Sequence, residues 1–211
     1  IESDLVFAPD GEAVYYTSSV SGGTSIWQVG ALGSQPRKVL DDARAPSVSS
    51  DGRRLAWFTR VSEGTFALVV GTIDGNERRE LLKGIQPVVN ISRASWSADG
   101  RFLAYTSGGL FAPRNLFVVG VADGAVRQVT RFERGTEGPS TQMWLPANRH
   151  LVISYVASPR AQGASDLGIL DAVTGSIVRI TTSLTESFAE PSLSADASRL
   201  IVTASYRTRE V

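Results

Sequence analysis

The sequence predicts an all-β fold, a β-propeller built from four-stranded antiparallel blades. One pattern recurs five times: a short extended run, a tight turn and an apolar strand. The copies are LVFAPDGEAVYYTS (Leu5–Ser18), PSVSSDGRRLAWFT (Pro46–Thr59), ASWSADGRFLAYTS (Ala94–Ser107), TQMWLPANRHLVISY (Thr141–Tyr155) and PSLSADASRLIVTAS (Pro191–Ser205). Aligned on Asp10, Asp51, Asp99, Asn148 and Asp196, they are spaced by 41, 48, 49 and 48 residues. A repeat of this length with several short strands is typical of a propeller blade.

The third copy illustrates how one repeat fills a blade. Its four predicted strands are Ala94–Ser97, Phe102–Ser107, Asn115–Val121 and Val126–Thr130. Turns are predicted at Asp99-Gly100, between the first two strands, and at Asp123-Gly124, between the last two. Glycine accepts a positive φ there, and aspartate stabilises a tight turn. The second strand is almost continuously apolar, which fits a sheet covered on both faces. Helical periodicity is absent, so all elements are predicted as strands.

The repeats predict four complete blades and half of a fifth. Their approximate bounds are 1–43, 44–90, 91–138, 139–188 and 189–211, within a single domain. An incomplete ring exposes the edges of its terminal blades. The chain is therefore expected to be part of a larger propeller, of about six or seven blades. The alternative is closure by another chain, including self-association through the incomplete fifth blade.

Composition excludes several classes of function. The 21 basic and 21 acidic residues give a net charge of zero, which argues against a nucleic-acid partner. No apolar run reaches the length of about 18 residues that a membrane-spanning helix needs, so no membrane insertion is predicted. The absence of cysteine rules out thiol catalysis, disulfides and thiolate metal sites.

No catalytic residue, cofactor or metal site is predicted. His150 is the only histidine and precedes an apolar strand, which favours a core or rim position over a catalytic base. No G-x-S-x-G motif is present, so a serine nucleophile has no support. The repeated turn aspartates are interpreted as turn-forming groups that accept backbone N–H bonds, and no calcium-loop pattern accompanies them.

The four tryptophans are interpreted mainly as packing residues. Trp96 and Trp144 recur at one inner-strand position, and Trp57 lies on a second strand. Recurrence at a repeat position favours burial between blades, because aromatic side chains bury large areas there. Trp27 lies on a third strand and is expected to be partly exposed.

The repeats resemble the TolB-like propeller family, a non-WD group whose Asp-Gly repeats are WD40-like. In that family each blade carries P-x-W-S-P-D-G-x-x-[IL]-A-[FY]. The third copy matches it nearly residue for residue, through Ala94–Gly100 and Leu103-Ala104-Tyr105. The second copy matches at Pro46, Asp51-Gly52 and Leu55-Ala56-Trp57. The fourth copy departs from the pattern with Leu145–Arg149, and in the fifth copy Ala197 replaces glycine.

The resemblance implies three possible roles. Bacterial TolB is a periplasmic protein that binds protein partners at the propeller face. Similar repeats form the sensing end of membrane-bound regulators and Ser/Thr kinases, and the substrate-filtering propeller of prolyl-oligopeptidase-type peptidases. We therefore expect a non-catalytic binding platform or sensor for a protein, peptide or envelope ligand, in the periplasm or another extracytoplasmic location. The alternative is an accessory propeller of a larger enzyme.

The predicted binding surface is the face that carries the connections from each outer strand to the next inner strand. These connections differ in length and charge while the strands stay uniform, and variable loops on one face of a repeat scaffold are its usual binding surface. The candidate ligand- or partner-binding residues on this channel face are Arg44, Arg93, Arg131, Arg134, Glu137, Gln142 and Glu190.

Overall fold

The computed structural model describes residues 2–20, 23–86, 92–108, 113–133, 138–156, 165–182, 186–194 and 198–206. Within these ranges every regular element is a β-strand, and no helix is long and apolar enough to cross a membrane. The strands form four four-stranded sheets and one two-stranded sheet, in which neighbours are antiparallel and follow chain order. The predicted all-β fold is therefore confirmed, as four complete blades and two strands of a fifth.

Each blade runs from an inner strand to an outer one. Blade 1 contains β1 (Glu2–Phe7), β2 (Ala13–Val20), β3 (Gly23–Gly30) and β4 (Arg37–Asp41). Blade 2 contains β5 (Ala43–Val48), β6 (Arg54–Ser62), β7 (Thr65–Thr72) and β8 (Arg79–Ile85). Blade 3 contains β9 (Ser95–Trp96), β10 (Phe102–Ser107), β11 (Asn115–Gly120) and β12 (Val126–Gln128). Blade 4 contains β13 (Thr141–Trp144), β14 (His150–Tyr155), β15 (Asp166–Asp171) and β16 (Ile177–Arg179). Blade 5 contains β17 (Glu186–Leu193) and β18 (Leu200–Tyr206).

The hydrophobic core lies between blades. Alternate residues of a strand point to opposite faces of its sheet. On β6, Leu55 and Trp57 pack with blade 1, whereas Ala56 and Phe58 pack with blade 3. A third cluster joins Ala104 of β10 to blade 4. Because both faces of the second strand are covered in this way, its sequence is almost continuously apolar.

The tryptophans follow the packing interpretation. Trp57, Trp96 and Trp144 are buried, and Trp27 is half-buried. Trp96 also donates its indole N–H to the carbonyl oxygen of Ser47 at 3.0 Å, which links blade 3 to blade 2. These side chains therefore hold the blades together.

In blade 4 the strand register shifts the turn by one residue relative to the sequence alignment on Asn148. Trp144 pairs with Leu151 as Trp96 pairs with Leu103. In this register Asn148 occupies the repeat position that Gly100 occupies in blade 3. Both residues have a positive φ, of 56° and 66°. The expectation that Asn148 replaces the turn aspartate is therefore wrong: it replaces the glycine. Asparagine can do so because it tolerates the left-handed conformation better than most residues.

The turn aspartates act as the sequence suggests wherever the structure describes them. Asp51 accepts the backbone N–H of Arg53 at 3.1 Å, and Asp99 accepts that of Arg101 at 3.0 Å. Asp10 accepts the backbone N–H of Glu12 at 2.9 Å. Asp196 lies outside the described residues.

The carboxylate of Asp171 makes stability depend on acid pH. Hydrogen bonds from the backbone N–H groups of Thr174 and Val173, and from Arg149, lower the pKa of Asp171 to about 2. An unfolded aspartate has a pKa of about 3.9. The stabilisation is therefore complete above about pH 5 and is lost progressively as the pH falls through about 3.9 towards 2.

We expect Asp171→Asn to reduce this acid sensitivity. Urea midpoints measured from pH 7 to pH 2 should show wild type and variant converging below pH 4, because protonation of Asp171 removes what the variant already lacks. A constant gap between the two proteins across this range would contradict the assignment. Measuring the difference cancels the contributions of the other carboxylates.

Candidate functional site

The five inner strands lie side by side around a common channel. Strand β1 contacts β5, and the series continues through β9 and β13 to β17. We define the channel face as the end of the blades where each outer strand connects to the next inner strand. The turn face is the opposite end, which carries the turns after the inner strands. The first half of each inner strand therefore lies near the channel face.

Three inner strands carry a β-bulge at the same place. The irregularities fall between Ser3 and Val6, between Arg44 and Ser47, and between Ala189 and Ser192. The first bulged residue in each has a positive φ: 56° at Asp4, 52° at Ala45 and 51° at Glu190. A bulge redirects a side chain, and backbone strain of this kind tends to cluster at functional sites.

Blades 3 and 4 place a residue at the same position. Arg93 precedes Ser95 by two residues, as Asp4 precedes Val6. In blade 4 the pairing of β13 with β14 is regular, so Gln142 alone stands where the other blades have two residues. We call the resulting set the channel ring: Asp4, Ala45, Arg93, Gln142 and Glu190.

Direct contacts connect the channel ring. Arg93 of blade 3 donates from Nη1 to the carbonyl oxygen of Leu5 in blade 1, at 2.8 Å. Blade 2 lies between them and contributes the fully buried Ala45 to the ring. Gln142 donates from Nε2 to the carbonyl oxygen of Arg93 at 2.9 Å. One arginine therefore links non-adjacent blades across the channel.

The electrostatics of the ring are incompletely balanced. Arg93 keeps exposed surface, but desolvation by the surrounding protein atoms lowers its pKa, and the nearby carboxylates of Asp4 and Glu190 oppose that shift. Within the described ranges neither carboxylate forms an ion pair with Arg93. Gln142 is 7% exposed, and its Oε1 has no hydrogen-bond partner in the described part of the chain. The ring thus offers a cation and two carboxylates to a ligand, whereas the Oε1 of Gln142 is buried inside the protein.

A second cationic group lies beside the ring. The guanidinium carbons of Arg44 and Arg60 lie 5.1 and 5.7 Å from the centre of the Phe66 ring. Arg44 also donates from Nη2 to Oγ1 of Thr24 at 3.1 Å. Burial is the largest cause that lowers the pKa of Arg44, Arg60 lowers it further, and Asp4 opposes both. Cation–π contact with Phe66 holds these two like charges close together.

The structure brings four of the seven predicted binding residues together. Arg93, Gln142 and Glu190 belong to the channel ring, and Arg44 lies beside it. Arg131 is exposed on the segment after β12 and makes no hydrogen bond or ion pair with the ring. Arg134 and Glu137 lie outside the described residues.

Sequence reasoning missed Asp4, Arg60 and Phe66. Asp4 lies six residues before Asp10, as Arg93 lies six before Asp99 and Glu190 six before Asp196. Comparing that repeat position across copies would have identified Asp4. Arg60 and Phe66 lie within strands β6 and β7, and the prediction considered only the connections between blades.

The described residues contain no group of three or more His, Cys, Asp or Glu side chains that could hold a metal ion. His150 lies at the turn face, where its Nε2 is 3.7 Å from Oδ2 of Asp171. The charged side chains of the ring can form ion pairs and hydrogen bonds.

Comparisons with known proteins identify the fold. No family model matches the chain, and neither does any curated protein sequence. A structure from Agrobacterium tumefaciens, assigned to TolB, superimposes with a TM-score of 0.76 at 16% identity, covering 98% of this chain and 70% of that one. TolB from Acinetobacter baumannii gives a TM-score of 0.73 at 18% identity, covering 100% and 49%. Puromycin hydrolase gives 0.67 at 25% identity, covering 97% and 34%.

These similarities define the class of fold. The chain is a partial β-propeller of four-stranded blades, and it spans from about a third to 70% of the structures that it matches. Its fold is that of the TolB-like propellers, as the repeat motif predicts.

Proposed function

We propose that this propeller is a non-catalytic platform that binds a protein, peptide or envelope ligand on its channel face. The observation that carries the proposal is the channel ring, where strained backbone positions on three blades direct side chains to one level. Strain of this kind costs stability and persists where the surrounding structure maintains it. The uncompensated charges supply directional contacts to a ligand.

The composition of the ring supports a polypeptide ligand. Arg93 and the Arg44/Arg60 pair can each receive a carboxylate, because guanidinium groups bind carboxylates through paired hydrogen bonds. Asp4 and Glu190 can accept hydrogen bonds from N–H donors of the ligand. Charges of both signs suit a peptide segment, which carries hydrogen-bond donors and acceptors along its whole length.

The proposed cellular location and the proposed partner rest on the resemblance to TolB. A protein partner and a periplasmic or other extracytoplasmic site are supported by the two TolB structures among the matches. Fractionation of cells that express the full-length gene product would test the location. Recovery of the protein with cytoplasmic markers alone would refute it.

The alternative function is an accessory propeller of a larger enzyme. Puromycin hydrolase supports it, because at 25% identity it shares the fold across 97% of this chain. The full-length gene product would then react with a fluorophosphonate probe for serine hydrolases, or phosphorylate a protein substrate. Absence of both activities in a product that captures a partner through the channel ring would favour the simple platform.

Replacing three channel-face residues should weaken partner capture without unfolding the protein. The variant Arg44→Ala, Arg93→Ala, Glu190→Gln removes both arginine contacts and one carboxylate, while glutamine keeps the side-chain length at a positive-φ position. A photo-crosslinking residue at position 63, in the turn between β6 and β7, would report capture by the full-length product. We expect at least a tenfold loss of the adduct, equivalent to about 1.4 kcal/mol.

The matched control changes the same residue types away from the channel face. Arg53→Ala, Arg127→Ala and Glu77→Gln remove two arginines and one glutamate, and Glu77 also has a positive φ, of 46°. Capture should match wild type in this control. Equal capture by both triple variants, at unchanged melting temperature, would remove the channel ring from the proposal.

A further inference from the structure

A cleft opens at the turn face between blades 1 and 2, away from the channel ring. Its volume is about 360 Å³. The lining residues that matter below are Asp10, Glu12, Ala13, Tyr15, Arg37 and Gly52. Neither the channel-face proposal nor the packing of the blades uses this space.

The repeat shows what normally fills such a cleft. Ala13 of blade 1 and Arg54 of blade 2 occupy the same repeat position, three residues after the turn aspartates Asp10 and Asp51. Between blades 2 and 3, Arg54 donates from Nη2 to the carbonyl oxygen of Gly100 at 2.9 Å. Its guanidinium also lies 4.7 Å from the centre of the Trp96 ring. An arginine side chain therefore fills the equivalent cleft.

The cleft between blades 1 and 2 keeps the acceptor but lacks the donor. Gly52 is the repeat equivalent of Gly100. A Cβ atom built on Gly100 would lie 2.3 Å from Nη2 of Arg54, whereas one built on Gly52 would meet only Pro9, at 3.8 Å. No group in the described part of the chain donates to the carbonyl oxygen of Gly52. The space that a guanidinium fills in the next cleft is open here.

Polar groups that face this space favour a cation. Tyr15 is only 3% exposed, and its hydroxyl has no hydrogen-bond partner among the described residues. Asp10 and Glu12 contribute two carboxylates. Arg37 is the one basic lining residue, and its Nε already donates to Oε1 of Gln28 at 2.7 Å.

The environment of Tyr15 agrees with this balance. Burial is the largest cause that raises the pKa of its hydroxyl; Arg37 opposes the shift, and the carboxylates of Asp10 and Asp74 add to it. The hydroxyl therefore stays protonated at neutral pH, where its oxygen can accept a hydrogen bond from a ligand.

We propose that the cleft between blades 1 and 2 binds the guanidinium group of an arginine residue presented by a peptide. The incoming group takes the place that Arg54 occupies one blade further on. It donates to the Gly52 carbonyl oxygen and to the Tyr15 hydroxyl oxygen, and its charge is offset by Asp10 and Glu12. A planar guanidinium has five N–H donors, which is enough to satisfy these acceptors together.

Titration of ¹⁵N-labelled protein tests the proposal directly. The probe is Nα-acetyl-arginine amide, and the control ligand is Nα-acetyl-citrulline amide, which has nearly the same shape but no charge. We expect saturable shifts of the Ala13 and Gly52 amide signals with the arginine probe, and at least tenfold weaker binding of the citrulline analogue. No saturable shift, or equal binding of both ligands, would overturn the proposal.

Two variants locate the binding site. Ala13→Arg supplies from within the chain the side chain found in blade 2, and it should abolish binding of the probe. Glu12→Gln removes one rim charge without disturbing the turn, because only the backbone N–H of Glu12 bonds to Asp10. It should weaken binding severalfold, whereas Glu77→Gln on another turn should not. Wild-type affinity in a folded Ala13→Arg variant, or in Glu12→Gln, would refute the assignment.

Discussion

Phe58→Ala is expected to destabilise the propeller by about 3–5 kcal/mol, the usual range for removing a fully buried phenylalanine. Phe58 has no exposed surface and packs in the cluster between blades 2 and 3, beside Leu68 and Leu103. Removing the ring leaves a cavity that neighbouring strands cannot close, because both sheets are fixed by their hydrogen-bonded ladders. Urea unfolding followed by tryptophan fluorescence would measure the loss.

The control for this prediction is Val178→Ala on the outer strand β16. Val178 is 65% exposed, so its truncation should change stability by no more than about 0.5 kcal/mol. Similar losses in the two variants would mean that the interface between blades 2 and 3 contributes little to the core.

Gly175→Ala is expected to have the second large effect, because two costs combine at this position. Gly175 has a φ of +76°, and an alanine there costs about 1–2 kcal/mol in backbone strain. Its Cβ would also lie 2.5 Å from the carbonyl oxygen of Val129, at the outer edge of blade 3. Relieving that clash moves blade 4 away from blade 3 and should cost about 1–3 kcal/mol more.

Gly33→Ala separates the two costs. Gly33 has a φ of +87°, and a Cβ built there has no atom within 4 Å, so only the backbone strain applies. Urea unfolding should therefore show Gly175→Ala as clearly less stable than Gly33→Ala. Equal losses would show that the turn of blade 4 can move from Val129 without cost.

The fold was predictable because its signals are local and repeated. The Asp-Gly turns and the apolar second strands each depend on a few adjacent residues, and five copies reinforce one another. The one-residue error in blade 4 has a local cause. Asn148 is chemically similar to the aspartate of other copies, but its backbone takes the glycine conformation. The side chain of Asn148 suggests alignment with the turn aspartates, whereas the strand register aligns it with the turn glycines.

The candidate site was only partly predictable, because its key contacts are not local. Arg93 reaches Leu5, 88 residues earlier, so no local sequence signal marks the contact. The bulges that align Asp4 with Glu190 each insert one extra residue into an inner strand, and no sequence motif marks them. The charged connections predict the channel face as the binding surface, and this stays a prediction, whereas the contacts between the residues on that face required coordinates.

One repeat position has a consequence for how such proteins diverge. Ala13, Arg54, Phe102 and His150 stand at the same place in four successive blades, each paired with the third strand of its own sheet. Changing a single codon there can open or fill the gap beside a neighbouring blade while every strand and loop keeps its length. New recognition sites can thus evolve one blade at a time, and comparing loop lengths among relatives would not detect them.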